Sequence, residues 1–153
     1  MQDLTPPSHS TVTKEQRKLL RRRLRVAIDQ QPEIKMLRAM LLGIGGVELV
    51  APSGFDSDVP RLIGSGLEMA GLERFEFMEA SACHENVARL WIAKHRGLVG
   101  IGTGYALSDD GLWRQHSWGI RRNGILETTR ERVRYFGRAL QRRDADLFAA
   151  SNA

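Results

Sequence analysis

Residues 98–128 read LVGIGTGYALSDDGLWRQHSWGIRRNGILET, and this stretch decides the fold class. From Leu98 to Leu107 bulky side chains alternate with small ones, which is the period of a β-strand. Two dipeptides that favour tight hairpins, Asp110-Gly111 and Asn123-Gly124, divide the rest of the stretch. The sequence therefore predicts an antiparallel meander over Leu98–Leu107, Leu112–Ile120 and Ile125–Thr128.

One face of the first predicted strand is nearly bare. It carries Gly100, Gly102 and Gly104, so another backbone or a ligand can approach it closely. This spacing does not match the dinucleotide fingerprint, because glycines at every second position belong to a strand face and not to a phosphate-binding loop. The sequence predicts no cofactor.

Helical patterns precede the meander. A capping box formed by Thr13 and Gln16 opens a helix that should reach about Gln30. A short helix should follow Pro32, and another is predicted from Val59 to Gly71.

Two more helices are predicted around the strands. Ser81 is expected to cap a helix that runs to about Lys94. A second capping box, Thr128-x-x-Glu131, predicts a last helix with an apolar stripe made of Val133, Phe136 and Leu140. The fold class expected is α+β, with helices plus a small antiparallel sheet of about three or four strands.

The chain is expected to form one domain. Residues 1–12 are polar and predicted to be a disordered tail, and residues 144–153 are predicted to be a C-terminal tail. Between them, residues 13–143 form the α+β domain, with basic N-terminal helices over 13–42 and a catalytic-like core over 79–130.

Composition excludes several classes of protein. The 153 residues contain one cysteine, which can form neither an internal disulfide nor a cysteine-rich zinc site. No apolar run is long enough to span a membrane, and the N-terminus does not resemble a signal peptide, so we expect a cytoplasmic protein without a membrane partner. The cysteine and its polar neighbours match no zinc motif, and no metal is predicted.

The net charge of +5 comes from residues 1–40, since the remaining residues carry as many acidic as basic side chains. The simplest interpretation is the solvated face of an amphipathic helix. The alternative is a surface for an acidic partner or a nucleic acid. The basic run consists of Arg21, Arg22, Arg23 and Arg25.

Three residues in order along the chain indicate nucleophilic catalysis. Cys83 lies at a predicted helix start, where the helix dipole and free N–H groups favour the thiolate. His116 on the middle strand is placed to accept the thiol proton and later to protonate a leaving amine. Glu127 on the third strand is placed to orient the imidazole.

The chain also resembles the transglutaminase-like core of the papain-like cysteine enzymes. In that superfamily a cysteine opens a helix, a Gly-Tyr strand follows, and then come His-Ala-Trp and an Asp-Pro-Thr strand end. The resemblance implies a triad of Cys83, His116 and Glu127, with Glu in place of the usual Asp. It rests on Cys83–Leu90, Arg96-Gly97, Gly104-Tyr105, His116-Ser117-Trp118 and Leu126–Thr129.

The hairpin register tests this triad. A two-residue turn at Asn123-Gly124 would place Glu127 opposite Ile120, too far along the strand to reach His116. A four-residue loop over residues 121–124 would place Glu127 opposite Trp118 and diagonal to His116, within reach of a long side chain. The triad therefore predicts the wider loop.

Four residues near the triad are candidates for binding the substrate: Trp118, Tyr105, His84 and Asn86. Each has an ordinary alternative as a packing or surface residue. The function expected is cysteine-dependent acyl transfer on an amide or ester, with a peptide or protein amide as substrate and a Cys83 thioester as intermediate. The alternatives are a non-catalytic interaction module of the same fold and a nucleic-acid-binding protein that uses the basic helix.

Overall fold

The computed structural model describes residues 12–94 and 97–153. The predicted disordered tail, residues 1–12, lies outside this part of the chain apart from Val12. None of the described helices is both long and apolar enough to cross a lipid bilayer. The helices are α1 (Lys14–Gln30), α2 (Ile34–Ile44), α3 (Val59–Ser65), α4 (Cys83–Ile92) and α5 (Arg142–Asn152).

The strands form one mixed sheet, so the fold class is α+β as predicted. The sheet has the order β2-β7-β4-β5-β6-β3, and β1 pairs with β5 off this path. Its seven strands exceed the three or four predicted, and the pairs β3·β6 and β1·β5 are parallel rather than antiparallel. The strands are β1 (Glu48–Leu49), β2 (Leu67–Met69), β3 (Leu72–Phe75), β4 (Leu98–Leu107), β5 (Leu112–Arg121), β6 (Gly124–Glu127) and β7 (Arg134–Leu140).

The two faces of β4 divide the interior of the protein. On the bulky face, Tyr105 belongs to a core built with the N-terminal helices, and Ile101 packs with α4 and α5. On the glycine face, Gly104 pairs with His116 and Gly102 pairs with Trp118. Because directly opposed residues of antiparallel strands share a face, Gly102 provides the room for the Trp118 ring, whereas Gly104 makes room for the backbone of β7 at Phe136 and Gly137.

The last predicted helix is wrong, since Arg134–Leu140 is strand β7. It pairs with β4 along its whole length, and Gly104 lies opposite Gly137. Val133, Phe136 and Leu140 do have helical spacing, but pairing with a distant strand outweighs this local pattern. The predicted capping box at Thr128 is not formed either, because no helix follows it and the Thr128 N–H donates to the Glu127 carboxylate instead of that of Glu131.

Two further boundaries differ from the sequence prediction. Helix α3 ends at Ser65 instead of Gly71, and the residues that follow it form the edge strand β2 against β7. Residues 144–153, predicted to be a tail, are almost all part of α5. Ala145 of α5 is fully buried against α4 and β4, so this helix completes the core.

Candidate active site

Cys83 is the first residue of α4, and its thiol is partly accessible. The N-cap residue is Ala82, so the predicted capping by Ser81 is wrong. Ser81 instead adopts a left-handed backbone conformation with a φ of 61°, which is uncommon for residues other than glycine.

The thiol lies beside β5, where β6 no longer pairs with it. The described β5·β6 ladder ends at Gly119 and Leu126, and beyond it the Ser117 N–H helps to lower the pKa of the Cys83 thiol. His116 on the same strand lowers this pKa more than any other group does. One strand edge therefore supplies both a backbone donor and an imidazole to the sulfur.

Glu127 is fully buried and occupies the centre of a hydrogen-bond network. Its Oε1 lies 2.7 Å from Nε2 of His116 and accepts the Tyr135 hydroxyl at 2.8 Å. Its Oε2 accepts the backbone N–H groups of Thr128 and Thr129 at 2.9 and 3.1 Å, and the Thr129 hydroxyl at 3.2 Å. With every lone-pair direction occupied by a donor, the carboxylate is fixed in its ionised form.

The observed hairpin has the register that the triad requires. Ile120 pairs with Ile125 and Gly119 with Leu126, so Glu127 lies opposite Trp118 and diagonal to His116. The turn itself is shorter than predicted, because Arg121 also pairs with Gly124 and leaves only Arg122 and Asn123 between the strands. The tight turn at Asn123-Gly124 is not present.

The electrostatics of the three groups reinforce one another. Burial alone would raise the pKa of the Cys83 thiol, but His116, the Ser117 N–H and the charge of Arg132 together hold it below its ordinary value. Burial also opposes a charged His116, yet its bonds with Cys83 and Glu127 raise its pKa. Burial opposes ionised Glu127 in the same way, and the donors around it nevertheless lower its pKa. The arrangement therefore favours a thiolate beside an imidazolium.

Aromatic rings enclose the imidazole. The ring centroids of His116 and Trp118 are 6.0 Å apart, and those of Trp118 and Tyr135 are 4.9 Å apart. The indole occupies the space over Gly102, where a Cβ atom would come within 2.0 Å of the indole nitrogen. Trp118 is fully buried, and its indole packs against the His116 ring. The water-poor surroundings strengthen the interactions of His116 with its charged neighbours.

His84 and Asn86 lie on the first turns of α4 but bind protein groups. His84 Nδ1 is 2.5 Å from the Ser117 hydroxyl, and burial together with the charge of His116 lowers the pKa of His84. The Asn86 amide donates to the Glu79 carbonyl at 2.8 Å and to the Thr128 hydroxyl at 3.3 Å. Both residues therefore fasten the start of α4 to the strands that carry His116 and Glu127.

The structure does not bring Tyr105 to the triad. Tyr105 belongs to the bulky face of β4, its side chain is fully buried, and its hydroxyl donates to Asp56 at 2.8 Å. Asp56 in turn is bound through its backbone to the Gln31 amide. This network joins the sheet to the N-terminal helices, on the opposite side of the sheet from His116.

Sequence reasoning missed Tyr135, Thr129 and Arg132. Tyr135 and Arg132 both fall inside the segment predicted to be helical, which in the structure is β7 and the residues that lead into it. Thr129 follows the strand-end acid, and a hydroxyl two residues after a carboxylate is a signal for a local turn that caps it. No group of three or more residues suited to hold a metal ion occurs in the described ranges.

No family model matches this chain, and neither a curated protein nor a solved structure matches it. The case for a function therefore depends on the geometry of Cys83, His116 and Glu127 and on the sequence resemblance that led to them.

Proposed function

We propose that the chain is a cysteine-dependent acyl-transfer enzyme of the transglutaminase-like, papain-like class. The observation that carries the proposal is that His116, bound to Glu127 at 2.7 Å, is also the group that does most to lower the pKa of the Cys83 thiol. Any one of these residues alone has an ordinary structural explanation. A nucleophile, a base and a group that orients the base, in contact in that order, form the usual arrangement of a catalytic triad.

In the first step, the Cys83 thiolate attacks the carbonyl carbon of an amide or ester. A sulfur–carbon bond forms, and the carbonyl electron pair moves onto oxygen. The tetrahedral intermediate then collapses, the bond to the leaving amine or alcohol breaks, and the His116 imidazolium supplies the proton that the leaving group needs. The product of this step is a thioester at Cys83.

In the second step, neutral His116 removes a proton from water or an amine, which attacks the thioester. The carbon–sulfur bond breaks, and the thiolate and the imidazolium are restored together. Water as the acceptor makes the enzyme a peptidase, amidase or deamidase, and an amine makes it a transglutaminase-type ligase.

The start of α4 supplies a donor for the oxyanion. The N–H groups of the first helical turn lack partners within the helix, and the N–H of Cys83 is one of them. It lies on the same residue as the nucleophile, where it can face the carbonyl oxygen as negative charge develops.

Alkylation of the single cysteine tests the proposal. We expect wild-type protein to react with iodoacetamide much faster than free cysteine at about pH 6–7, where an ordinary thiol is almost fully protonated. His116→Ala should reduce this rate by about tenfold or more, since it removes the partner of the thiolate. Cys83→Ser supplies the blank, and the melting temperature of each variant checks folding. A wild-type rate equal to that of free cysteine, unchanged in His116→Ala, would contradict the proposal.

A further inference from the structure

The middle of β5 turns the backbone groups of one residue, Gln115, away from the neighbouring strand β4. The Leu112 carbonyl accepts the Ser108 N–H at the end of β4, whereas the Trp113 carbonyl accepts the Val50 N–H on the other side. Successive residues of a strand point their backbone groups to opposite sides. The N–H and C=O of Gln115 therefore face the same side as those of Trp113, along the outer edge of β5.

Neither β1 nor β6 covers the outer edge of β5 at Gln115. Since Val50 donates to Trp113, the parallel ladder would next need an N–H at residue 52, but that residue is Pro52, which has none. From the other end, the described ladder with β6 stops at Gly119. Within residues 12–94 and 97–153 the Gln115 N–H and C=O have no hydrogen-bond partner, and Gln115 is exposed. The sheet thus has a short free edge between β1 and β6.

This free edge leads directly to the candidate nucleophile. His116 follows Gln115 in the chain, and the next residue, Ser117, contacts the first turn of α4, where its hydroxyl lies 2.5 Å from Nδ1 of His84. Cys83 precedes His84, so the thiol lies at the end of the free edge. A strand rises about 3.3 Å per residue, which places Gln115 about 7 Å along β5 from Ser117. An extended chain held at Gln115 would therefore reach the thiol about two residues later.

We propose that the substrate is an extended peptide segment that adds to β5 as a further strand, with one of its residues hydrogen-bonded to the backbone of Gln115. This inference rests on the proposed function and names the substrate class of that site, a peptide bound through its main chain. Unpaired backbone groups at a strand edge are a common template for peptide recognition. The opening is flanked by β1 and by the start of α4, so it admits a single strand but not the edge of another folded sheet.

Two alkylating reagents that differ in their main chain test the inference. N-acetyl-trialanine chloromethyl ketone and chloroacetone form the same sulfur–carbon bond with Cys83 and release the same chloride, but only the first carries a peptide. The measured quantity is the labelling rate of the protein with each reagent, relative to that of free cysteine at the same pH. We expect the relative rate of the peptide reagent to exceed that of chloroacetone by about tenfold, a factor that corresponds to about 1.4 kcal/mol.

Methylation of one peptide nitrogen at a time locates the pairing. Methylation of the nitrogen that donates to the Gln115 carbonyl should abolish the advantage of the peptide reagent. A nitrogen one residue away points to the opposite side of the added strand, so its methylation should leave the advantage in place. In the protein, Gln115→Pro removes the N–H donor at an outward-facing edge position, where a strand tolerates proline, and should reduce the advantage. Gln115→Ala is the matched variant that retains the N–H, and it should keep the advantage.

The outcomes separate the two proposals. Equal relative rates for the two reagents, or an advantage that all methylated reagents keep or lose alike, overturn the strand addition while fast iodoacetamide labelling still supports the triad. An iodoacetamide rate equal to that of free cysteine overturns the proposed function itself. A dimer in sedimentation that Gln115→Pro dissociates would assign the edge to a second copy of the chain and overturn the peptide occupant. If Gln115→Pro fails to fold, the methylated reagents decide on the wild-type protein alone.

Discussion

Replacing Glu127 by glutamine should strongly lower the reactivity of the Cys83 thiol, although the substitution exchanges a single heavy atom. The side chain keeps its shape, but one of the two oxygens becomes an NH₂ group that cannot accept hydrogen bonds. Oε2 faces two backbone N–H groups, which cannot rotate away. The amide NH₂ should therefore turn towards the Oε1 position, where His116 and Tyr135 now donate.

An NH₂ group facing His116 reverses the hydrogen-bonding role of the imidazole Nε2. Nε2 must accept a hydrogen bond instead of donating one, so the proton moves to the ring nitrogen that faces Cys83. In this tautomer the imidazole no longer accepts the thiol proton. The variant also loses a charge-assisted hydrogen bond of about 1.5–3 kcal/mol, which corresponds to a thiolate population lower by about ten- to a hundredfold.

The assay is the pH dependence of iodoacetamide labelling. The wild-type rate should rise as the pH passes through the lowered pKa of Cys83, and then stay constant while the thiolate–imidazolium pair persists. In Glu127→Gln the rise should move to higher pH, since an imidazole without its carboxylate stabilises the thiolate less. At about pH 6–7 the rate should be lower by about ten- to a hundredfold.

Glu131→Gln is the matched control, because Glu131 is exposed and close to Glu127 in the chain. It makes the same chemical change and should leave the profile unaltered. Identical profiles for the wild type and Glu127→Gln, with both proteins folded, would refute the role given to Glu127.

Two more predictions concern the glycine face and the basic helix. Gly102→Ala should cost about 1–3 kcal/mol of unfolding free energy in urea titrations, because its Cβ would collide with the Trp118 indole. Gly64→Ala, whose Cβ meets nothing within 4 Å, should be as stable as the wild type or more so, and an equal loss in both variants would contradict the packing described for Gly102. The exposed arginines of α1 are expected to be solvated, so retention on heparin should be weak and should change little when Arg22 and Arg25 become glutamine. Strong, salt-sensitive retention that this variant loses would instead favour the nucleic-acid alternative.

The meander was predictable because its signals are local. Alternating side chains define β4, and the turn residues near Asp110 and Asn123 limit the possible registers of β5 and β6. The triad hypothesis then selected the register in which Glu127 opposes Trp118, and the structure has that register. The exact turn residues could not be derived, since a single extra pair at Arg121 changes the loop without changing the alignment of the strands.

Strand β7 could not be predicted from its own residues. Val133, Phe136 and Leu140 repeat with helical spacing, and the ladders to β4 and β2 make the segment extended. This error also concealed the hydroxyl of Tyr135, which belongs to the network around Glu127. Pairing between strands that are distant in the sequence is not visible in a local residue pattern. Only the three-dimensional structure therefore shows which β7 residues belong to the site.

Tyr105 is the opposite case, a candidate site residue that the structure places away from the site. The sequence made Tyr105 a candidate for binding the substrate, with core packing as the alternative. Its neighbour Gly104 is the residue opposite His116, and adjacent strand residues point to opposite faces of a sheet. The structure accordingly buries Tyr105 on the side of the N-terminal helices, with its hydroxyl on Asp56.

Titration of the thiolate by its ultraviolet absorbance tests the central claim most directly, because the chain has one cysteine and Cys83→Ser supplies the baseline. The account predicts that the wild-type thiolate appears at a pH well below that of an ordinary thiol, and that His116→Gln moves its appearance to higher pH. A wild-type thiolate that appears only in the ordinary alkaline range, unaffected by His116→Gln, would contradict the account.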